Sequence, residues 1–352
     1  MAALGRTLDR AIRRVVDLAV AFDVTNPLQR ALDARRREVV ESLLAGEQGN
    51  VADVAARLGR AEPDAHDRLS ALAERSLAVL RHDLRDAVSG PLRLYAAIDG
   101  RLPTRESELL DDPALPAGMR RQILEDLDHM NRTLGSYPRF LDLLAPWLAT
   151  DRPTRILDLA AGHGGFDLEL AREARARGIA LEITATDLKR EYLDIGRVVA
   201  EREGLDVRFE VQDALDLSNL RAPGAPRYDV ITCTQSLHHF PVGLVSVMIH
   251  EAAATSAVLF IDGYRSLTTL LAVPSIALRF GHYGMFHDAF VSSRRFFVPE
   301  ELRLLACVTP AAERTRAFRI PPGFTVLRID PPTGAPAPAD RAAGSPRRLP
   351  VL

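Results

Sequence analysis

The stretch ILDLAAGHGGFDLELA, residues 156–171, carries the clearest chemical signal in the chain. An apolar run ends in Asp158, turns through small residues and restarts as a helix. Ala160, Gly162 and Gly164 leave that turn almost free of side-chain bulk. A ligand can therefore lie against the backbone, and the unpaired N–H groups that open the following helix face it with partial positive charge. The loop suits a nucleotide-type cofactor, with His163 contributing mainly its backbone to the lining. Acids at the ends of the next two apolar runs bear on which cofactor it is. Asp187, followed by Leu188, can accept both hydroxyls of a ribose, and Gln212, Asp213 and Ala214 place a carboxylate where an adenine amino group could donate. One run later, TQSLHHF at 234–240 brings Thr234, Gln235, His238 and His239 to the same edge.

A parallel sheet is needed to bring these residues together. RILDLA, LEITATD, VRFEVQD and YDVITCTQ are short apolar runs, and FDLELAREARARG and EYLDIGRVVAEREG between them read as helices. That alternation predicts right-handed crossovers, with the ligand outside the carboxyl ends of the strands. A fifth run, AVLFIDG at 257–263, is followed by a helix at PEELRLLACV, then RAFRI, the turn PPG at 321–323 and FTVLRID, which read as a closing antiparallel hairpin. Ala160, Gly162 and Gly165 also keep the dinucleotide spacing with its first glycine replaced, so the loop alone leaves two cofactors open. The acid after the third strand and the closing hairpin, which a dinucleotide half-fold lacks, decide against the dinucleotide.

On DLAAGHGG, Asp187, QDA at 212–214 and TQSLHHF, residues 151–330 resemble the class I S-adenosylmethionine-dependent methyltransferases. The resemblance implies an α/β, Rossmann-like seven-stranded sheet. It also implies S-adenosylmethionine held by Asp158, Ala160, Gly162, His163, Gly164, Asp187, Leu188, Gln212, Asp213, Ala214, Thr234 and Gln235. The reaction it implies is methyl transfer to a small organic acceptor, in the first place at oxygen. In the dimeric O-methyltransferases a His-Asp-aromatic triplet supplies the base. His238, His239 and Phe240 occupy that triplet here, which gives His238 the base position and puts His239 where the family has an acid. An imidazole with its unperturbed pKa of about 6.5 is neutral near pH 7 and suits the task. A C- or N-methyltransferase on the same fold, with His238 only shaping the pocket, is the alternative.

In this fold an insertion after the fifth strand covers the acceptor, and RFGHYGMFHDAFVSSRRFF at 279–297 stands there. His282, Tyr283, Phe286 and His287 are the expected substrate-facing residues, with Arg294 and Arg295 as partners for an acidic group. His287 and Asp288 diverge by about 100° on one helix, so no metal site is expected.

Residues 1–100 read as helices and a small wing. Asn26 and Pro27 form an N-cap and N1 pair, and Gly46 closes the helix. NVADVAARLG, a break at RAEPD and AHDRLSALAERS follow, and LAVLRHD and PLRLYAA are expected to pair as the wing. This winged-helix-like domain is similar in order to the module through which small-molecule O-methyltransferases dimerise, which implies a homodimer. The rival class is a DNA-binding regulator, but the candidate reading helix sets Asp64, Asp67 and Glu74 against Arg68 and Arg75, a poor match for a phosphate-lined groove. Residues 101–150 form a polar connector and a capping helix, with Leu124, Leu127, Met130 and Leu134 on one face. Residues 331–352, rich in Pro, Ala and Gly, are expected to be disordered.

A formal charge of −2 gives no pull toward nucleic acid or anionic lipid, and Lys189 is the only lysine, so the abundance of arginine is not a phosphate signature. Cys233 and Cys307 lie outside any C-x-x-C pattern, and the N-terminus lacks the form of a secretory signal. A cytoplasmic location is the expectation. The most apolar stretch, 267–278, is broken by Pro274 and is shorter than the about 20 residues a membrane span needs, so no membrane partner is expected.

Overall fold

The computed structural model describes Arg14 and residues 25–332, apart from Pro223, His282 and Pro322. The expected tail beyond 332 and the first helical segment therefore lie outside the described residues. Seven strands form one sheet in the order β3-β2-β1-β4-β5-β7-β6. They are β1 (Thr154–Asp158), β2 (Leu181–Asp187), β3 (Val207–Val211), β4 (Val230–Thr234), β5 (Ala257–Gly263), β6 (Thr315–Ile320) and β7 (Phe324–Ile329). The first five pair in parallel, and β7 runs antiparallel to both β5 and β6, which is the expected closing hairpin. The chain leaves β1 toward β2 on one side and returns to β4 on the other. The carboxyl ends of β1 and β4 thus flank a switch point, where this class of sheet opens a crevice.

Ahead of β1 the described residues are helical: α1 (Pro27–Gly46), α2 (Gln48–Gly59), α3 (Ala65–Asp86), α4 (Gly90–Asp99), α5 (Ala117–Leu134) and α6 (Ser136–Leu144). Asn26 caps α1 by accepting from the backbone N–H of Leu28 at 3.0 Å. No wing forms. The expected first wing strand is the second half of α3, and the expected second one is α4. The reason is periodicity. Leu77, Leu80 and Leu84 are buried at helical spacing while Val79 between them is 40% exposed, and in α4 Tyr95, Ala96 and Asp99 turn inward while Leu94 is 66% exposed.

The remaining helices are α7 (Gly165–Arg177), α8 (Arg190–Glu203), α9 (Val242–Ala253), α10 (Leu267–Phe280), α11 (Tyr283–Arg295) and α12 (Pro299–Cys307). The apolar face of α3 is covered by the chain itself. Leu69, Leu72 and Ala73 share one core with Val245, Met248 and Ile249 of α9 and with Phe260 of β5. Contact is close because position 243 is glycine: a Cβ there would meet the Ser70 hydroxyl at 2.1 Å. The helices of residues 27–99 therefore extend the core of the sheet domain.

A buried ionic cluster fixes that arrangement. Arg36 of α1 and Arg265, just after β5, are each 2% exposed. Arg36 donates to Asp99 at 2.5 Å and to Asp33 at 2.7 Å, and Arg265 reaches across to Asp99 at 3.4 Å while donating to both oxygens of Glu301 on α12, at 2.7 and 2.8 Å. Among the described residues no helix is long and apolar enough to cross a membrane. Removing one partner from such a cluster strands buried charge, which costs about 3–5 kcal/mol. Arg265→Leu should lower the unfolding free energy by that amount in urea titration; a loss below about 1 kcal/mol would show that the cluster does not hold the two halves together.

Candidate active site

The loop after β1 is built as its composition demands. Ala160, Gly162 and Gly164 all have positive φ, at 51°, 61° and 71°. Glycine adopts that region freely, whereas alanine at 160 is held there by its surroundings: Ser236 donates to its carbonyl at 2.8 Å. The backbone N–H of Gly162 donates to Asp187 at 2.9 Å, and that of Lys189 donates to the other Asp187 oxygen at 2.8 Å. Burial raises the Asp187 carboxyl above its usual range, and those two backbone donors oppose the rise.

A cavity of about 330 Å³ lies over this loop. Ala160, Gly162, His163, Asp187, Leu188, Gln212, Asp213, Ala214, Thr234 and Gln235 all line it, so most of the expected cofactor residues converge on one space. Leu124, Leu127, Asp128 and Asn131 of α5 roof it, with Tyr137 of α6 beside them. Two expected residues are placed elsewhere. Gly164 faces the Phe209 ring, where a Cβ would come within 2.7 Å, and Gly165 lines the cavity in its stead. Asp158 is fully buried behind the loop, accepting from the Thr232 hydroxyl at 2.5 Å and meeting Asp167 carboxyl to carboxyl.

A second, mostly apolar chamber of about 180 Å³ adjoins the first, and Leu110, Leu127, Asn131, Gln235 and His239 belong to both walls. Ile123, Leu127, Met130 and Leu134 of α5 form one side, Val273 and Ile276 of α10 another, and Met285, Asp288, Ala289 and Ser292 of α11 a third. The insertion does cover the chamber, but with a different face of its helix. Tyr283 is 71% exposed, Phe286 and His287 do not line the cavity, and Arg294 is turned outward to Glu106 and the Leu102 carbonyl. Arg295 is also off the wall, and His282 lies outside the described residues. Residues 285, 288, 289 and 292 share one face of α11, roughly opposite the face that carries 283, 286, 287 and 294.

The polar floor of the chamber is a row of side chains centred on His238, which is 6% exposed. Its backbone N–H donates to Asp262 at 2.8 Å, and its Nδ1 lies 2.9 Å from the same carboxylate. On the other side Nε2 stands 3.3 Å from Glu108, which also accepts from the Ser292 hydroxyl at 2.6 Å. His239 packs its ring against that of His238, centroids 4.3 Å apart, with Nδ1 3.3 Å from Asp111. Burial works against a charged His238, but Asp262 and then Glu108 outweigh it and push its pKa up to about 10. Burial would likewise raise Glu108, and the charges of His239 and His238 overcome it and hold the carboxyl down at about 2. Both carboxylates therefore favour the protonated ring, beyond what its ordinary pKa suggests.

The acid that orients His238 is Asp262, not a neighbour in the triplet. It ends an apolar strand, as Asp158 and Asp187 do, so the signal was present in AVLFIDG. Glu108 and Asp111 come from the connector, whose acidic, aperiodic sequence gives no sign of which carboxylate turns inward.

Residues 156–256 match the sequence family described as a methyltransferase domain. A demethylmenaquinone methyltransferase of Deinococcus radiodurans is 36% identical over 88 residues, 25% of this chain and 33% of that protein. A ubiquinone biosynthesis O-methyltransferase of Proteus mirabilis is 31% identical over 87 residues, 25% of this chain and 32% of that protein. The chain thus spans about a third of the length of the curated relatives it matches. Among solved structures, the plantazolicin methyltransferase BpumL in complex with S-adenosylhomocysteine (SAH) aligns with TM-score 0.45 and 14% identity over 63% of this chain and 92% of that one. The magnesium protoporphyrin IX methyltransferase of Synechocystis with bound SAH aligns with TM-score 0.37 and 14% identity over 63% and 91%.

The Asp158–Asp167 pair generates a prediction. Burial drives both carboxyls up, so the folded pair retains a proton that the unfolded chain releases above about pH 4. Stability must then fall as pH rises through that window, by up to about 1.4 kcal/mol per unit for one proton. Asp167→Asn replaces the shared proton with an amide donor, so its unfolding free energy should decline less between pH 5 and pH 8 than the parent's. Equal slopes in denaturant titrations would contradict the shared proton.

Proposed function

We propose that the protein is an S-adenosylmethionine-dependent methyltransferase acting on a small organic acceptor, at oxygen. The observation that carries this is the pair of cavities sharing one wall at Gln235, Asn131 and His239. One is lined as a nucleoside site should be, and the other is mostly apolar with Asn131, Gln235 and His239 at the shared wall. The methyltransferase-domain match over 156–256 supports the same reading.

The residues present fit the cofactor. Asp187 has lone pairs left for a ribose after accepting two backbone N–H groups, Asp213 stands at the end of β3, and Gly165 leaves room where a Cβ would come within 2.8 Å of Asp128. When bound, the sulfonium supplies an activated methyl group with its leaving group built in. Alignment of the acceptor is then the protein's main contribution and can be worth about 7–11 kcal/mol in favourable cases. Leu127, Met130, Ile276 and Met285 hold an apolar body and exclude water from it. His238, oriented by Asp262, pairs through Nε2 with the Glu108 carboxylate, and this pair is the group placed to receive a hydroxyl proton. Oxygen is favoured because an acid–imidazole–acid row, Glu108, His238 and Asp262, borders the chamber beside the shared wall, which suits a group that must lose a proton.

Two variants should separate binding from chemistry. Asp187→Ala should weaken SAH binding by about 1.5–3 kcal/mol in calorimetry, the scale of a charge-assisted hydrogen bond. His238→Gln should bind SAH normally while formation of products 14 mass units heavier in metabolite extracts falls roughly 100-fold or more. Unchanged SAH affinity in Asp187→Ala, or normal product yield from His238→Gln, would contradict the assignment.

A further inference from the structure

Two imidazoles and a carboxylate converge where the cavities meet. The Nε2 atoms of His238 and His239 lie 3.3 and 3.7 Å from the two oxygens of Glu108, and one ligand atom from each residue falls within 4.8 Å of the others. The far nitrogen of each ring is already committed, His238 Nδ1 to Asp262 at 2.9 Å and His239 Nδ1 to Asp111 at 3.3 Å. A carboxylate on the far nitrogen fixes tautomer and ring orientation and turns the Nε2 lone pair inward, the support that metal-bound histidines have. Glu108 is fixed in turn by the Ser292 hydroxyl at 2.6 Å. Three converging donors, each held by a second partner, are more than a solvated ion pair requires, and they border a chamber rather than the surface.

We propose that Glu108, His238 and His239 bind a divalent cation of the zinc and cobalt type, whose open coordination positions face the chamber and hold the acceptor's oxygen. Two nitrogens and one oxygen suit such borderline ions, whereas magnesium and calcium favour oxygen donors alone. A hydroxyl or enol bound to the ion loses its proton to water more readily, so the acceptor class is one that presents such an oxygen at the end of an apolar body. This function of the ion rests on the acceptor reading above, while its binding does not. With the ion in place His238 is a ligand, and the atom methylated is unchanged. Among the described residues the other cluster of similar composition, His66, His250 and Glu251, lacks this form: Arg221 already pairs with Glu251 at 2.9 Å. It provides an internal control.

The test is Co²⁺ titration of chelator-stripped full-length protein, followed by visible d–d absorption. One equivalent should bind, and His250→Gln should leave the spectrum and affinity unchanged. Glu108→Gln and His239→Gln should each weaken binding by more than the about 10- to 100-fold that loss of an outer partner costs, and Asp111→Asn, a milder change, should fall in that range. SAH calorimetry on the same samples reports folding and the cofactor site separately. A parent that binds SAH but gives no Co²⁺ bands overturns the ion site and leaves the methyltransferase reading standing. Bands that survive Glu108→Gln, or vanish in His250→Gln, also overturn it. Co²⁺ binding by a parent that fails to bind SAH, lost in Glu108→Gln with circular dichroism unchanged and kept in His250→Gln, supports the ion site while removing the cofactor assignment.

Discussion

Asp262 has no exposed surface, and a buried carboxylate is tolerable only when its oxygens are filled. It ends β5 and accepts from three N–H groups: the backbone of Gly263, the backbone of His238 and the His238 ring. Meeting that demand fixes the short turn after β4 in place and sets the plane of the His238 ring. With the ring set, Nε2 has one direction to point, and Glu108 comes in from the connector to meet it. The geometry of the chamber floor follows from this one buried charge.

The connector is consequently a strap rather than a linker. It is polar, yet it crosses the boundary of two cavities, so its groups need partners on both sides. On one side the backbone N–H groups of Leu109 and Leu110 donate to Asp288 of α11, at 2.6 and 3.1 Å. On the other, the Leu110 carbonyl accepts from the Tyr192 hydroxyl at 3.1 Å, and Asp111 sits between His239 and Lys189. The insertion helix and the cofactor half are joined through it, which places Glu108 at the shared wall. The single lysine of the chain lies at this junction.

What could be read in advance followed from local rules. The cofactor loop, the acids ending β2 and β3 and the closing hairpin each depend on a few consecutive residues, and those stand where they were expected. The errors came where a short window admits two periods. LAVLRHD satisfies alternation over a few residues, but the spacing of Leu77, Leu80 and Leu84 is helical once α3 is seen to continue from Ala65. On α11 aromatic and charged side chains draw attention in the sequence, while Met285, Ala289 and Ser292 do the lining of the chamber. Asp262 carried a readable signal. Glu108 carried none, since only tertiary structure decides which acid of an acidic connector becomes buried.

We propose that the two cavities are a cofactor site and an acceptor site meeting at one wall. The most direct measurement is a crystal structure of the full chain with SAH, its sulfur located by anomalous scattering. The expected result is a ligand sulfur peak at the shared wall beside Gln235 and His239, with the adenine against Asp213 and the ribose on Asp187. A sulfur peak on the far side of the loop from the apolar chamber, or SAH bound away from Asp187, would contradict it.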